Sequence, residues 1–449
     1  MVYGPHTPDS RAQMLAALGL DSVDALFDDI PDAVRADGLA LPEPMSELEL
    51  SRELTALAAR NRVDLASFLG AGVYRHHIPA AVDAVLSRGE FYTAYTPYQP
   101  EISQGTLQTI YEFQSLIGAL TGLPVVSASH YDGAAATAEA ALMTVRATRR
   151  DRVLVSRALH RHYLETTRTY FSAGTREIEE LPTTPEGTTD LAALEAALAD
   201  EERPVAGVIL GQPNAFGLLE PMARAAKLTH AAGALLVAVV EPVSLAVLAP
   251  PGDYGADIAA GEGQPLGIAP AYGGPYLGLL ACTRELMRQI PGRLVGRTSD
   301  VEGRRAFVMT LRAREQDIRR DKAASNICTN QALCALAATT YLATLGPHGL
   351  CHVARAGAAA ARRLESALGQ AGIERVHRAP YLSEFAVRVP HAVAVHRRLL
   401  DEGVLAGLPL AAWYPDDAEL SDALLLATTE LTTDDEIERL VASLGKAGA

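Results

Sequence analysis

Two stretches near the middle of the chain hold the residue types that a buried catalytic site requires. Glu241 closes the apolar run at residues 234–240, whose length and β-branched content predict a buried parallel strand. A second short strand is predicted at residues 257–260, and the turn after it reads Gly261-Glu-Gly-Gln264. A carboxylate at a strand end can pair with a ring nitrogen, and an amine after the next strand can form a Schiff base. The carboxylate is present here, and the amine is missing.

This layout resembles the large family of pyridoxal-phosphate (PLP) enzymes with the aspartate-aminotransferase fold. In that family an Asp at the end of the first strand holds the pyridine nitrogen, and a Lys after the second strand makes the Schiff base. Glu241 stands at the first of these places, and the Gln264 region stands at the second. The resemblance therefore implies the fold and, at the same time, a chain that cannot hold the cofactor covalently.

Three lysines occur elsewhere in the chain: Lys227, Lys322 and Lys446. Lys227 belongs to an amphipathic helix predicted at residues 222–232, where an exposed face is expected, and Lys446 belongs to the terminal tail. A Schiff-base lysine must be held in a fixed position. Lys322, which follows Arg319 and Arg320, is the one remaining candidate, although its place in the chain does not suit this fold.

Composition narrows the class of protein. The 449 residues are 49% hydrophobic, which is enough for two or three domains with a sizeable core. The net charge of −15 argues against nucleic acid and anionic membranes as partners. No apolar run approaches a membrane span, residues 1–11 do not resemble a secretory leader, and the four cysteines form no C-x-x-C pair. We expect a cytoplasmic protein with reduced thiols and no metal site.

Strands alternate with helices between residues 125 and 282, which predicts a mainly parallel sheet. The predicted strands are 125–128, 152–155, 176–181, 205–210, 234–240, 257–260 and 278–282. The predicted helices between them are 134–149, 159–170, 189–199 and 222–232. The fold class is therefore α/β, with an N-terminal helical arm at 1–65, a large domain at 66–345 and a small α+β domain at 346–449.

The outer segments complete this prediction. Helices are expected at 10–18, 22–27, 46–60, 80–87, 106–121 and 330–345 before the small domain. Within the small domain, helices are expected at 352–371, 392–402 and 433–446, and strands at 384–389 and 423–427. Ser46 and Glu49 form a capping-box pattern at the start of one arm helix.

The turn Ser129-His-Tyr-Asp-Gly133 joins a strand to a helix and allows two interpretations. It could bind a phosphate through free backbone N–H groups, or it could be an ordinary loop with Asp132 near the N-cap position. His130 could stack on a cofactor ring or be polar surface. Glu241 could pair with a pyridinium nitrogen or cap the strand end. Ser129, His130 and Glu241 together are the residues of a relic cofactor site.

Two further segments are chemically specialised. The loop Tyr95-Thr-Pro-Tyr98 is stiff and aromatic, so it could frame a small pocket and donate hydrogen bonds, or it could be a packed Ω-type loop without a ligand. Residues 312–322 are rich in arginine, and they could form a solvated face or clamp a carboxylate or phosphate.

Several long motifs resemble the glycine dehydrogenase (decarboxylating) family, the P-protein of the glycine cleavage system. They are Tyr92-Thr-Ala-Tyr-Thr-Pro-Tyr-Gln-Pro-Glu-Ile-Ser-Gln-Gly105, Leu210-Gly-Gln-Pro-Asn-Ala-Phe-Gly217, Tyr272-Gly-Gly-Pro275, Pro291-Gly-Arg-Leu-Val-Gly296 and Arg314-Glu-Gln-Asp-Ile-Arg-Arg-Asp-Lys-Ala-Ala-Ser-Asn-Ile-Cys-Thr-Asn330. In this family the protein is one chain of two homologous halves or two separate subunits. The motifs match the first half, and the PLP lysine belongs to the second.

The resemblance implies a PLP fold type I chain that acts as the α subunit of a heterotetramer. Its partners would be a homologous PLP-bearing subunit 2, the lipoylated H-protein and glycine. The reaction would be decarboxylation of glycine, with transfer of the aminomethyl group to the lipoyl arm. PLP would be bound covalently by the partner subunit. Neither nucleic acid nor a membrane is expected as a partner.

For the site we predict that this chain contributes to the partner's pocket across an interface. Tyr95, Thr96 and Tyr98 are the catalytic candidates. The candidates for binding substrate or an anion are Arg312, Arg314, Arg319, Lys322 and Asn326. Two alternatives stay open from the residues alone: a stand-alone PLP aminotransferase or lyase that uses Lys322, and a catalytically dead structural subunit.

Overall fold

The computed structural model describes residue 4, residues 6–36 and residues 38–445, which fall into two compact units divided between Val63 and Asp64. The first unit contains α1 (Pro8–Leu18) and α2 (Glu47–Ala58). Ser46 and Glu49 form the predicted capping box at the start of α2. The helix predicted at 22–27 is a single 3₁₀ turn, Asp24–Phe27.

The second unit holds the other helices and all the strands of the described chain. Its helices are α3 (Ala80–Leu86), α4 (Gly89–Tyr92), α5 (Gln104–Thr121), α6 (Gly133–Thr148), α7 (Arg161–Phe171), α8 (Leu191–Leu198), α9 (Met222–Ala231), α10 (Gln316–Arg319), α11 (Ala332–Gln370), α12 (Ala392–Asp401) and α13 (Asp434–Gly445). Its strands are β1 (Ala66–Ser67), β2 (Val125–Val126), β3 (Arg152–Ser156), β4 (Glu177–Leu181), β5 (Val205–Gln212), β6 (Leu235–Val240), β7 (Ile258–Glu262), β8 (Gly278–Cys282), β9 (Leu294–Ser299), β10 (Arg305–Thr310), β11 (Glu384–Arg388), β12 (Val404–Leu405), β13 (Leu408–Pro409) and β14 (Ala423–Ala427).

Seven strands form the central sheet of this unit, in the order β2-β8-β7-β6-β5-β3-β4. The neighbours from β7 to β4 are parallel, and β8 runs antiparallel to both β7 and β2. Parallel strands require crossover connections, and α7, α8 and α9 lie in the connections among β3, β4, β5 and β6. The predicted mainly parallel sheet is present.

The central strands are buried on both faces because helices cover the sheet on each side. Along β6, Val237 and Val239 pack into the cluster that contains α6 and α7, whereas Leu236 and Ala238 pack into the cluster that contains α8 and α9. This alternation follows from the two-residue period of a strand. It explains why the sequence shows a continuous apolar run here.

Three smaller sheets complete the unit. β11, β14 and β13 form an antiparallel sheet, β9 and β10 form an antiparallel hairpin, and β1 pairs in parallel with β12. The hairpin was not predicted, because its Gly-rich start and charged tip look like loop in the sequence. The pairing of β1 with β12 joins two segments far apart in the chain, and no local pattern reports it.

The two helices predicted at 330–345 and 352–371 are the two halves of α11, which a kink at Gly346 separates. Gly346 has φ of 60° and is followed by Pro347, so the hydrogen-bond ladder is broken there. The predicted boundary between the large and small domains falls at this kink and stays a prediction. No helix in the described part of the chain is both long and apolar enough to cross a membrane.

One close approach fixes how β5 meets the C-terminal part of the unit. In the turn after β5, the Asn214 side chain accepts from the amides of Phe216 and Leu218. Gly217 lies between them at φ of +78°, and a Cβ on it would lie 1.9 Å from the carbonyl oxygen of Glu384 in β11. Only glycine satisfies both the backbone conformation and the space.

We therefore predict that Gly217→Ala is severely destabilising, and Gly303→Ala is its matched control. Gly303 has nearly the same φ, +77°, but nothing lies within 4 Å of its Cβ position. The control should cost about 1 kcal/mol of unfolding free energy, and Gly217→Ala about 2 kcal/mol more, because backbone must move. Urea unfolding of the two variants measures the difference. Equal losses would contradict the close approach.

Candidate functional site

A small cavity of about 60 Å³ lies where β6 and β7 end, which is room for only a few water molecules. Three carboxylates line it: Glu241, Glu262 and Glu384. His160 and Tyr163, from the start of α7, also face it. None of the described residues that line the cavity is a lysine. Carboxyl ends of parallel strands are the usual place for a ligand in such sheets.

Glu241 turns its carboxylate back onto its own chain. One oxygen accepts from the amide of Val243 (2.9 Å) and the other from the amide of Ser244 (2.7 Å). Burial raises the pKa of Glu241. Of its two interpretations, the geometry matches the cap of a strand end.

Glu262 ends β7 and is 7% exposed. Its Oε2 accepts from the amide of Gly133, the first residue of α6, at 2.8 Å. Its Oε1 accepts from the amides of Gln264 and Leu277, each at 2.9 Å. Burial raises the pKa of Glu262, and the three amide donors oppose that shift. The sequence analysis assigned this residue no role.

Gln264, which the sequence analysis predicts to stand in the place of the Schiff-base lysine, acts as a structural link. Its Oε1 accepts from the amide of Tyr74 (3.0 Å), and its Nε2 donates to the carbonyl of Tyr74 (3.0 Å) and to that of Ile268 (2.6 Å). The side chain is 1% exposed. It holds the segment before α3 against the turn after β7.

Ser129 and His130 do not line this cavity. Ser129 Oγ accepts from the amide of Gln331 at 3.0 Å, immediately before α11. His130 is fully buried, so its interpretation as polar surface is wrong, and burial lowers the pKa of its imidazole to about 3. Asp132 is the N-cap of α6 and accepts from the amide of Ala135. The turn is an ordered βα loop with a capped helix.

These contacts decide whether the residues present fit PLP. The amide of Gly133, which a phosphate would use at the N-terminus of α6, already holds Glu262. Glu241 is occupied by two backbone amides, and Gln264 carries no amine that could form a Schiff base. The residues of this chain therefore do not fit the cofactor.

Glu384, which is buried, and His160, which is half-buried, are further groups that the sequence analysis missed. Glu384 accepts from the amide of Ala71 (2.7 Å) and from the hydroxyl of Tyr74 (2.8 Å). His160 Nε2 lies 2.8 Å from the carbonyl oxygen of Ala71, and burial lowers the pKa of this imidazole to about 4. Burial raises the pKa of Glu384 to about 7. The segment 159–163, with two histidines and a tyrosine after a strand, was the one sequence signal for the group.

A second constellation lies on the surface, and it joins the two segments singled out in the sequence. The Tyr98 ring lies beside two guanidinium groups, with its centroid 5.8 Å from Arg293 Cζ and 6.0 Å from Arg312 Cζ. Tyr98 is 50% exposed, and Tyr95 is 76% exposed. We call Tyr95, Thr96, Tyr98, Arg293 and Arg312 the tyrosine–arginine surface.

Arg293 organises this surface from below. It is 6% exposed and donates to Thr96 Oγ1 (3.1 Å), Thr329 Oγ1 (3.2 Å) and the carbonyl of Cys328 (2.6 Å). None of these acceptors is charged, and the carboxyl group of Glu315 also interacts electrostatically with Arg293. The motif 291–296 contains this arginine, but its role was not recognised in the sequence.

The other predicted anion-binding residues are more dispersed. Arg314 donates to the carbonyl of Ile290, and Arg319 donates to the carbonyl of Ala313 (3.0 Å). Lys322 and Asn326 are exposed, and Lys322 does not line the cavity beside Glu241. Of this set, the structure brings only Arg312 into contact with the tyrosine loop.

The pKa of Glu384 gives a prediction about stability. With a folded-state value of about 7 against 4.5, the native protein binds a proton that the unfolded chain has lost between these pH values. Stability therefore falls as pH rises from 4.5 to 7, by about 3 kcal/mol from this group. Glu384→Gln removes the contribution, which urea unfolding at several pH values measures. The exposed Glu195 on α8 provides the control, Glu195→Gln. An unaltered slope in Glu384→Gln would contradict the prediction.

Comparison with known proteins agrees with these motifs over the whole chain. The family model of the glycine cleavage system P-protein matches residues 1–444. A probable glycine dehydrogenase (decarboxylating) subunit 1 from Moorella thermoacetica is 52% identical over 447 residues, which is 99% of each chain. A counterpart of the same description from Carboxydothermus hydrogenoformans is 49% identical over 448 residues, again 99% of each chain.

Solved structures support the same assignment. A crystal structure of glycine decarboxylase (P-protein) of the glycine cleavage system, in inhibitor-bound form, has a TM-score of 0.91 and 42% identity, covering 100% of both chains. A sphingosine-1-phosphate lyase from Burkholderia pseudomallei, 16% identical with a TM-score of 0.66 over 93% of each chain, shares the fold alone. The predicted fold class is confirmed. The chain belongs to the glycine cleavage system P-protein family and is similar over its full length to the proteins described as subunit 1.

Proposed function

We propose that this chain is the α subunit of a heteromeric P-protein whose homologous second subunit carries PLP on a lysine. The complex decarboxylates glycine and passes the aminomethyl group to the lipoyl arm of the H-protein. The observation that carries the proposal is Gln264, which stands where the lysine would be and has its amide group engaged by Tyr74 and Ile268. The full-length similarity to subunit 1 relatives supports it.

The tyrosine–arginine surface is our candidate for the contribution of this chain to the partner's pocket. Its two tyrosines expose hydroxyl groups that can donate hydrogen bonds, and Arg293 and Arg312 place positive charge beside Tyr98. Such donors and cations suit a small carboxylate such as that of glycine, which would compete with Asp317 for Arg312. Arg314, Arg319, Lys322 and Asn326 stay candidates for the same anion-binding role from the adjoining segment.

PLP, when bound, acts as the electron sink for the carbon–carboxylate bond that breaks. The residues of this chain have a separate task, which is to orient that bond. Tyr95 and Tyr98 donate to the carboxylate, and Arg293 holds the loop through Thr96 so that the donors keep their places. Fixed donors lower the entropic cost of reaching the reactive geometry.

The N-terminal unit supports assembly with a partner. No described side chain of residues 6–63 is buried, and the exposed large apolar side chains there include Leu18, Phe27, Leu48 and Leu54. Exposed apolar surface of this kind marks protein–protein contact. We propose that the complex is a heterotetramer. We also propose a cytoplasmic location, because the four cysteines are free thiols.

We predict that Tyr95→Phe and Tyr98→Phe each lower kcat/KM for glycine by about tenfold or more in the complex reassembled with the lysine-bearing subunit. Loss of one hydrogen bond to a charged group accounts for this magnitude. Glycine turnover coupled to H-protein is the measurement. Tyr92→Phe, an exposed tyrosine in α4, is the matched control. If both variants keep the rate of the unaltered complex, these tyrosines do not serve the site.

Borohydride reduction after addition of PLP distinguishes the proposal from a stand-alone PLP enzyme. We expect a phosphopyridoxyl-lysine on the partner subunit alone, detected by mass spectrometry of both chains. Lys227, exposed on α9, reports background labelling of this chain. Labelling of Lys322 well above Lys227 in the isolated chain would make the stand-alone enzyme the better reading. If the partner subunit is labelled and its glycine turnover does not depend on this chain, the result favours a structural role for this chain.

A further inference from the structure

The N-terminus of α6 holds a carboxylate of its own chain. Glu262 Oε2 accepts from the amide of Gly133, and Glu262 Oε1 accepts from the amides of Gln264 and Leu277. Three backbone N–H groups from three separate segments thus converge on one buried carboxyl group. Such a set of donors at the positive end of a helix dipole is what an external phosphate requires.

The fit around Glu262 is tight. A Cβ on Gly133 would lie 2.9 Å from both the Cβ and the backbone nitrogen of Glu262, so the end of β7 lies directly against the start of α6. Asp132 already satisfies the amide of Ala135 in the first turn. No space is left for a phosphate beside Glu262, and a phosphate could bind only by displacing it.

Charge opposes that displacement. Glu241 and Glu384 line the same cavity, whose volume is about 60 Å³. Its lining residues include neither lysine nor arginine among those that the structure describes. While Glu262 is present, a phosphate would meet a carboxyl group at the three amides themselves and no compensating cation, which is unfavourable in a buried site.

We propose that Glu262 is an internal substitute for the cofactor phosphate: it occupies the anion site at the N-terminus of α6 and closes this chain's copy of the cofactor pocket. Removal of its carboxylate leaves three amide donors without an acceptor and creates a site for inorganic phosphate. The closure is a property of this chain's own fold, so it does not require the proposed division of labour between the subunits.

The test compares Glu262→Ala with the unaltered full chain, using inorganic phosphate as the probe and chloride at equal ionic strength as the reference. We expect the variant to bind one phosphate at least about tenfold more tightly than the unaltered chain does in calorimetry. Its thermal midpoint should rise saturably with phosphate by about 2 °C or more. Glu241→Gln, a change at another carboxylate of the same cavity, is the matched control and should gain no phosphate affinity.

The outcomes decide the matter in each case. The proposal is overturned if Glu262→Ala folds but does not bind phosphate, or if the unaltered chain binds phosphate as tightly as the variant does. If the variant does not fold in chloride, phosphate should restore the fold, and failure to do so also overturns the proposal. A measurement on the unaltered chain gives a separate check: it should show no preference for pyridoxal 5′-phosphate over pyridoxal, and a clear preference would contradict a closed phosphate site.

Discussion

Where strands end and helices begin, some backbone N–H groups have no acceptor within the helix or sheet. In this chain, side-chain carboxyl groups accept hydrogen bonds from them. Glu262 serves three amides around the start of α6, Glu241 serves two after β6, and Glu384 serves the amide of Ala71. Glu220 does the same for the amide of Thr189. An unsatisfied buried amide would cost about 1–3 kcal/mol, so these contacts hold the segments around the cavity in place.

The same contacts explain why the residues of this chain do not fit PLP, although the fold is shared with PLP enzymes. A cofactor pocket needs donors and cations that are free to receive an anionic ligand. In this chain the amides are already occupied and the acidic groups face inward, with the pKa values of Glu241, Glu262 and Glu384 all raised by burial. The groups that could bind an anionic ligand lie instead at the tyrosine–arginine surface, where the hydrogen-bond acceptors of Arg293 are neutral.

The sequence was sufficient for the elements whose pattern is local. The buried strands β5, β6 and β7, the helix α9 and the capping box at Ser46 were predicted from periodicity and spacing, whereas the missing lysine was recognised through the family resemblance. Contacts between residues that are far apart in the sequence could not be predicted. Glu262 meets Gly133 across 129 positions, and Glu384 meets Ala71 across 313, so no window of sequence contains both partners.

His130 shows the same limit in another form. It was expected to stack on a cofactor ring or to be polar surface, and it is buried with Gly292, just before β9, close to its ring: a Cβ on Gly292 would lie 3.5 Å from His130 Nε2. The tyrosine loop and the arginine segment were each identified by composition. That Arg293 joins them could not be inferred, because a buried arginine with neutral partners has no local signature.

The link between Gln264 and Tyr74 limits what a lysine at this position could achieve. An amide side chain can accept from one backbone group while donating to two others, and a lysine ammonium can only donate. Gln264→Lys alone would introduce an amine, leave the amide of Tyr74 without its acceptor, and leave Glu262 on the amide of Gly133. A single substitution at this position therefore does not by itself make a cofactor site, because a second, distant residue holds the amides that a phosphate would need.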